Sequence, residues 1–588
     1  MVKKLAALLL VGCFGISAAA DRYEAETAIP ADDHSATIVT SATASGGSFV
    51  EMREGSLVFT VTTATAGYYT LWLDYAQPND ANGKIQNLVV NGSAAGQISF
   101  PYSTSFVYMK GSAKIKLAAG ANTVSITKSW GWVNIDYIEL TPFVATPFAI
   151  TGALSNPNAT DNTKKMFGFL MENFGKKVIS GVMTNTVMQN DGKYTPNTMD
   201  NQTEIAWINS ASGKMPALIG LDFMHAAGLN SDQQWHQGYT AATLGLAENV
   251  YNKGGIPAYC WHWKDPDHLV ETFYTLSSGN TPYTTFNLNN AFLDSTTHAA
   301  FNTSSTEYTE IIRDLDLIAA QLKILADKGI PVLWRPLHEA SGKWFWWGSK
   351  GGAATQALYR LMYDRFTNLH GLNNLIWVWT TDEAGDALDW YPGDAYVDVV
   401  GRDFYYYPRV ANHASLVASF EKVKEIFGGR KLITLSENGS VPHPDSLVAD
   451  GAGWSYFMPW YGDYTMDGWA HDNTAADWNS IMNNNYVITI DKMPGWANYV
   501  PPSGLLHINN AKGSSLLFNQ GTLELTQESA GNTRLEVFGL QGNIVATLHQ
   551  GYLGAGTFRF SLQDEKAGMY MVRVQSSAGV IARQIAVH

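Results

Sequence analysis

Two glutamates, Glu339 and Glu437, have the surroundings that could do chemistry. Each closes an apolar, strand-like run: the first ends IPVLWRPLHE, Ile330 to Glu339, and the second lies in KLITLSENG, Lys431 to Gly439. A pair of carboxyl groups, one protonated and one ionised, is what cleavage of a glycosidic bond requires: one protonates the departing oxygen and the other meets the oxocarbenium-like carbon. A lone Glu at a strand end is more often a solvated loop residue or half of an ion pair. Here Glu339 is preceded by His338 and, four residues back, Arg335, and is followed by Trp344, Phe345, Trp346 and Trp347.

The elements that must position these groups can be read from the pattern between about 160 and 496. Apolar runs at Val178–Met183, Pro216–Met224, Ile256–Trp263, Ile330–Glu339, Leu375–Asp382, Val397–Tyr405, Leu432–Glu437 and Trp454–Tyr464 alternate with helical stretches such as Glu307–Gly329 and Ala354–Gly371. Eight strands interleaved with helices predict a (β/α)8 TIM barrel. Glu339 and Glu437 lie 98 residues apart, which fits three βα steps and places them on the fourth and seventh strands. Both then face the mouth at the C-terminal ends of the strands, where barrel loops build a cleft.

At 588 residues the chain is too long for one core, and it reads as multidomain. With 52 acidic and 38 basic residues its formal charge is −14. Nucleic acid and anionic membrane surfaces are excluded as partners on that ground. Aromatic residues make up 12% of the chain against 15% charged, a balance that suits either stacking on sugar faces or core filling. Residues 1–20 combine two lysines, an apolar stretch and small residues at Ala18 and Ala20; they read as a signal peptide too short to span a bilayer, which predicts a secreted protein without membrane insertion. Leu10-Val11-Gly12-Cys13 offers lipoprotein anchoring through Cys13 as the alternative. Cleavage after Ala20 leaves Cys260 as the single cysteine, so no internal disulfide can form; it reads as a buried strand residue.

Residues 21–141 show short alternating runs, among them LVFTVTT and YYTLWLDY, and predict a β-sandwich whose work is binding. Residues 142–159, with Pro142 and Pro147, read as a linker. Residues 504–588 are again strand-rich and predict a small C-terminal Ig-like β-sandwich.

The barrel resembles glycoside hydrolase family 26, on Trp334-Arg335-Pro336-Leu337-His338-Glu339 through Trp344-Phe345-Trp346-Trp347-Gly348, with Trp261-His262-Trp263, Gly401-Arg402-Asp403-Phe404-Tyr405 and Ser436-Glu437-Asn438-Gly439 in support. The resemblance implies a retaining endo-β-1,4-mannanase acting on mannan, glucomannan or galactomannan, with Glu339 as acid/base and Glu437 as nucleophile. It places Tyr405 as a hydrogen-bond donor to the nucleophile. His338 is expected to reach a sugar hydroxyl, or alternatively to orient Glu437. Arg335 and Asp403 form the surrounding charge network or touch substrate directly. Trp344, Trp263, His262 and Trp460 are the sugar-platform candidates, and at least one of Trp346 and Trp347 is expected in the core. Mixed-linkage β-glucanase and β-1,3-xylanase activities on the same barrel are alternatives, as is a non-catalytic polysaccharide-binding scaffold. No catalytic cofactor is expected: there is no H-E-x-x-H or Cys/His cluster, and no Gly-x-Ser-x-Gly elbow.

Residues 21–141 resemble a family 35 carbohydrate-binding module, on Tyr23-Glu24-Ala25-Glu26 and Trp130-Gly131-Trp132-Val133-Asn134-Ile135-Asp136. The resemblance implies Trp132, Asn134 and Trp130 as sugar contacts, with a core or edge role the alternative for Trp130. Glu24, Glu26 and Asp136 are implied as ligands of a structural calcium, a hard cation that takes oxygen donors. Ala567-Gly568-Met569-Tyr570-Met571-Val572-Arg573-Val574 resembles C-terminal sorting domains of exported bacterial enzymes, implying cell-surface or secretion machinery as a partner; a plain accessory sandwich is the alternative.

Overall fold

The computed structural model describes residues 21–588 apart from 33–34, 82, 189–192, 196–197, 276–281, 502–506, 510–513, 520, 528–530, 539–543, 563–567, 577–578 and 588. The signal segment, Cys13 and Ala567 lie outside the described residues. Two compact units divide between Val144 and Ala145.

The first unit is the expected β-sandwich. A six-stranded sheet faces a four-stranded one, and the two share a core that includes Leu57, Phe59, Val61, Leu71, Leu73, Ile126 and Ile135. In the strand Ser56–Thr63 every second residue is buried, because successive side chains of a strand point to opposite faces and only one face meets the other sheet. The last strand, Val133–Pro142, pairs with three neighbours.

The second unit holds the barrel. Its strands are β1 (Val178–Met183), β2 (Leu218–Asp222), β3 (Ile256–Cys260), β4 (Val332–Arg335), β5 (Leu375–Thr381), β6 (Val399–Phe404), β7 (Leu432–Asn438) and β8 (Tyr456–Phe457). They pair in parallel in the order β7-β6-β5-β4-β3-β2-β1-β8. Closure comes from the amide of Asn438, which donates to the carbonyl of Met458 at 3.1 Å, and that of Trp460, which donates to the carbonyl of Asn438 at 3.0 Å. These strands are almost wholly buried on both faces, since helices cover the outside and side chains fill the inside; that is why they read as continuous apolar runs rather than alternations. The helix Thr306–Asp327 starts where Ser305 Oγ accepts from the amide of Tyr308 at 3.1 Å. It buries Ile311, Leu315, Ile318, Leu322 and Leu325, spaced three and four apart, a stripe worth roughly 1.5–3 kcal/mol per large side chain.

Three expectations need correction. The fourth run does not stay a strand to Glu339: β4 stops at Arg335, because Pro336 has no N–H for a ladder bond and Leu337 turns into the left-handed region at φ 50°. The eighth run contracts to Tyr456–Phe457, and a short strand not foreseen, Val487–Ile488, also pairs with β1. The segment read as a linker is tied to the second unit over much of its length: Phe148 and Ile150 sit in the barrel core, Ala149–Thr151 pairs with His507–Asn509, and the amide of Ser155 donates to Asp398 Oδ1.

The C-terminal residues form a sandwich of a three-stranded and a four-stranded sheet, with Leu523, Leu525, Leu535, Val537, Val572 and Val574 between them.

Candidate active site

The end of β7 is held by a network of charged hydrogen bonds. A register shift between Arg402 and Asp403 brings Asp403 level with Glu437 across the β6–β7 ladder. Arg335, at the end of β4, reaches both carboxylates: Nη1 donates to Asp403 Oδ2 and Nη2 to Glu437 Oε2, each at 2.7 Å. The second oxygen of Glu437 accepts from the Tyr405 hydroxyl at 2.6 Å, and the second oxygen of Asp403 from Ser436 Oγ at 2.6 Å. All four carboxylate oxygens are thus satisfied inside a buried network, as burial of charge demands. Burial opposes the charge on Arg335, but Asp403 and Glu437 hold its pKa well above the ordinary value. Burial, then the charge of Glu437, pushes the Tyr405 hydroxyl well above its usual range, so Tyr405 stays a donor. Burial lifts Asp403 to about 6, with Arg335 pulling the other way.

Glu339 has a different environment. Its backbone is left-handed at φ 53° and ψ 26°, a strained conformation of the kind that persists at functional sites. One carboxylate oxygen each from Glu339, Asp403 and Glu437 lie within 4.8 Å of one another. Burial raises the pKa of Glu339 well above its ordinary value, and the charges of Glu437 and Asp403 raise it further, against Arg335 and a hydrogen bond from Trp344. A neutral carboxyl beside an ionised one is the state an acid catalyst needs. Trp344 remains 40% exposed beside it. Gly342 leaves room for the ring, since a Cβ there would lie 2.0 Å from Trp344 and force it to shift.

The aromatic and histidine candidates divide. Trp263 is not a sugar platform: it is 0% exposed, stacks on Trp261 at 4.1 Å and donates to Asp314 Oδ2 at 2.8 Å. Trp346 and Trp347 are both core. His338 is 1% exposed, and its side-chain contact is with His262 rather than with Glu437. Its Nε2 lies 3.2 Å from Nε2 of His262. Burial, then Arg335 and His262, lower its pKa well below the ordinary value, so the ring is neutral. His262 is in turn fixed by Asp222, whose Oδ2 is 2.6 Å from Nδ1 and whose Oδ1 accepts the His262 amide at 3.1 Å. A carboxylate can only accept, so His262 Nδ1 carries the proton. Trp460 is half-buried, 5.7 Å from the His262 ring. Asp222 escaped the reading of the sequence, although it ends the buried run LIGLD, and Ser436 was read within the Ser436-Glu437-Asn438-Gly439 motif without a role of its own.

Metal-like groupings exist among the described residues but are already engaged. Asp222, Cys260 and His262 converge within 4.8 Å, yet both Asp222 oxygens bind His262, and burial pushes the Cys260 thiol well up, away from the thiolate a metal requires. His225, His236 and Glu271 also converge; there Lys264 Nζ lies 2.8 Å from His225 Nδ1 and pairs with Glu271, supplying the cation itself.

In the N-terminal unit, Trp130 and Trp132 are 41% and 40% exposed. Lys84 Nζ lies 4.1 Å over the Trp130 ring, while Trp132 Nε1 donates to Glu54 Oε1 at 3.2 Å. Asn134 Oδ1 is buried without a partner among the described residues. Ser45 donates through its amide to Asp136 Oδ2 and through Oγ to Glu24 Oε1, both at 2.8 Å. Glu24 Oε2, Glu26 Oε2 and Asp136 Oδ1 are buried with no partner among the described residues, and Asp136 is pushed up to about 6 by burial and by the carboxylates of Asp74, Glu24 and Glu26.

Residues 155–492 match Glycosyl hydrolase family 26 and residues 21–143 match Carbohydrate binding module (family 35). A mannan endo-1,4-beta-mannosidase of Thermothelomyces thermophilus is 32% identical over 500 residues, covering 82% of this chain and 92% of that protein. Among solved structures, a beta-mannanase from a symbiotic protist of the termite Reticulitermes speratus, complexed with gluco-manno-oligosaccharide, is 40% identical with a TM-score of 0.53, covering 59% of this chain and 99% of that one. The Podospora anserina GH26-CBM35 beta-(1,4)-mannanase is 34% identical with a TM-score of 0.51, covering 81% and 99%.

Proposed function

Because this chain belongs to glycoside hydrolase family 26 and carries a family 35 carbohydrate-binding module, we propose that it is a secreted, retaining endo-β-1,4-mannanase acting on mannan, glucomannan or galactomannan. Glu339 is the general acid/base, Glu437 the nucleophile, Tyr405 and Arg335 the groups that aim Glu437, and Asp403 the anion that holds Arg335. The observation that carries this is that one carboxylate oxygen of Glu339 comes within 4.8 Å of one of Glu437. Retaining enzymes hold their carboxyl groups about 5–5.5 Å apart, whereas inversion needs about 6.5–9.5 Å to admit a water.

In the first step Glu437 attacks the anomeric carbon, the bond to the leaving sugar breaks, and the proton of Glu339 passes to the departing oxygen. In the second, Glu339, now ionised, takes a proton from water as that water displaces Glu437. Trp344 and Trp460 are platforms for sugar rings, and His262, backed by His338 and Asp222, forms part of the wall. Sugar contact in the module falls to Trp132, Asn134 and Trp130. A calcium ion held by Glu24, Glu26 and Asp136 fits the three unpartnered buried oxygens; chelation should then lower the melting temperature of the isolated temperature transition assigned to this unit, and an unchanged transition would remove the ion. The C-terminal sandwich serves surface attachment or export.

Reducing-sugar release from β-1,4-mannan, mixed-linkage β-glucan and β-1,3-xylan tests the substrate. Mannan should be preferred; preference for glucan or xylan would reassign the substrate, and no release from any would indicate a binding scaffold.

A further inference from the structure

The strap that follows β8, residues 460–473, is more firmly built than an ordinary surface loop. Thr465 Oγ1 donates to the carbonyl of Trp460 at 2.7 Å. Asn473 pins the far end: its Nδ2 donates to the carbonyls of Gly439 at 3.0 Å and Tyr464 at 2.7 Å, and its Oδ1 accepts from the amide of Val441 at 2.8 Å. The strap thereby rests on the chain just beyond Glu437. Gly439 itself lies close against the strap: a Cβ there would stand 3.3 Å from Asp472 Oδ1, 3.4 Å from the Tyr405 ring and 3.6 Å from the Tyr464 ring.

From the nucleophile outward, a line of aromatic groups follows. Tyr405, bonded to Glu437, packs edge-on against Tyr464 with ring centres 5.1 Å apart. The Arg409 guanidinium, from the loop after β6, covers Tyr464 at 3.7 Å and stands 5.0 Å from the Trp469 ring. Asp472 fixes that guanidinium through Nε at 2.7 Å. Beyond it Trp469 is 70% exposed. A single exposed tryptophan needs no explanation on most surfaces; this one is held on a pinned strap, braced by a cation, and linked through Arg409, Tyr464 and Tyr405 to Glu437.

We propose that Trp469, braced by Arg409, is the platform of a distal subsite where a further sugar ring of the polysaccharide stacks, beyond those held at the two carboxylates. Apolar C–H faces of a pyranose suit an indole face. The ligand is an uncharged hexose unit, because Arg409 is paired with Asp472 and His471 with Asp467, while the strap adds Asp463, so its acidic side chains disfavour a uronate. The proposal rests on the reading of this barrel as a polysaccharide hydrolase.

The test compares kcat/KM on a hexasaccharide and a trisaccharide drawn from whichever polysaccharide the wild-type chain hydrolyses. Trp469→Ala should lower the hexasaccharide-to-trisaccharide ratio about three- to tenfold, the size expected from one lost aromatic contact, and Trp469→Phe should restore most of it. A ratio unchanged in Trp469→Ala would overturn the subsite, even if both rates fell together. Inactivity of the wild type on every polysaccharide would instead overturn the hydrolase reading, so the two failures are distinct.

Discussion

The ends of β4 and β7 present two glutamates to one pocket under opposite conditions. Glu437 lies within its strand, and each of its oxygens accepts a short hydrogen bond, from Arg335 and from Tyr405. Glu339 lies four residues past its strand, on left-handed backbone, and burial together with the neighbouring negative charges favours its neutral form. Identical side chains thus meet opposite surroundings. Glu437 meets the donors Arg335 and Tyr405; the anions beside Glu339 stabilise its carboxylic acid form.

Removing one member at a time should break this pairing unequally. Glu437→Ala should cost the most, more than about 10⁴-fold on every substrate, because no covalent intermediate can form and proton transfer alone supplies only about 10²–10⁴. Glu339→Ala should cost about 10²–10⁴-fold in kcat/KM on polysaccharide but much less on an aryl glycoside with an activated phenolate, which departs without help. Azide should restore turnover of that aryl substrate; equal losses on both substrates would take the acid role from Glu339. Tyr405→Phe should cost least, roughly 10- to 150-fold in kcat, the value of a hydrogen bond to a charged group of ~1.5–3 kcal/mol. A loss confined to KM would make Tyr405 a substrate contact instead. The asymmetry can also be titrated. Glu339 must be protonated to act, so activity should fall as pH rises through its raised pKa. In Glu437→Gln the repulsion from Glu437 is gone while that from Asp403 remains, so the carboxyl ¹³C resonance of Glu339 should titrate at lower pH than in the wild type.

Much of this was legible in the chain because strand position and apolar patterning are local. The eight barrel runs, the two carboxylates at their ends and the alternation of the N-terminal sandwich all follow from spacing. What was not legible depends on three-dimensional company. Trp263 looks like a sugar platform in the sequence, yet Trp261, Trp346 and Asp314 enclose it. His338 stands beside the acid in sequence but turns inward to His262, whose orientation depends on Asp222, 40 residues earlier. The strap bearing Trp469 carries no periodic signal, since its order comes from the hydrogen bonds of Asn473 rather than from a long regular element.

The double displacement is tested most directly by ¹H NMR of the first product released from mannan by the wild-type protein. Two successive inversions at the anomeric carbon should give the β anomer first, with the α form appearing only as mutarotation proceeds. Initial release of the α anomer would mean that water attacks in a single step, making Glu437 a general base and contradicting a covalent intermediate.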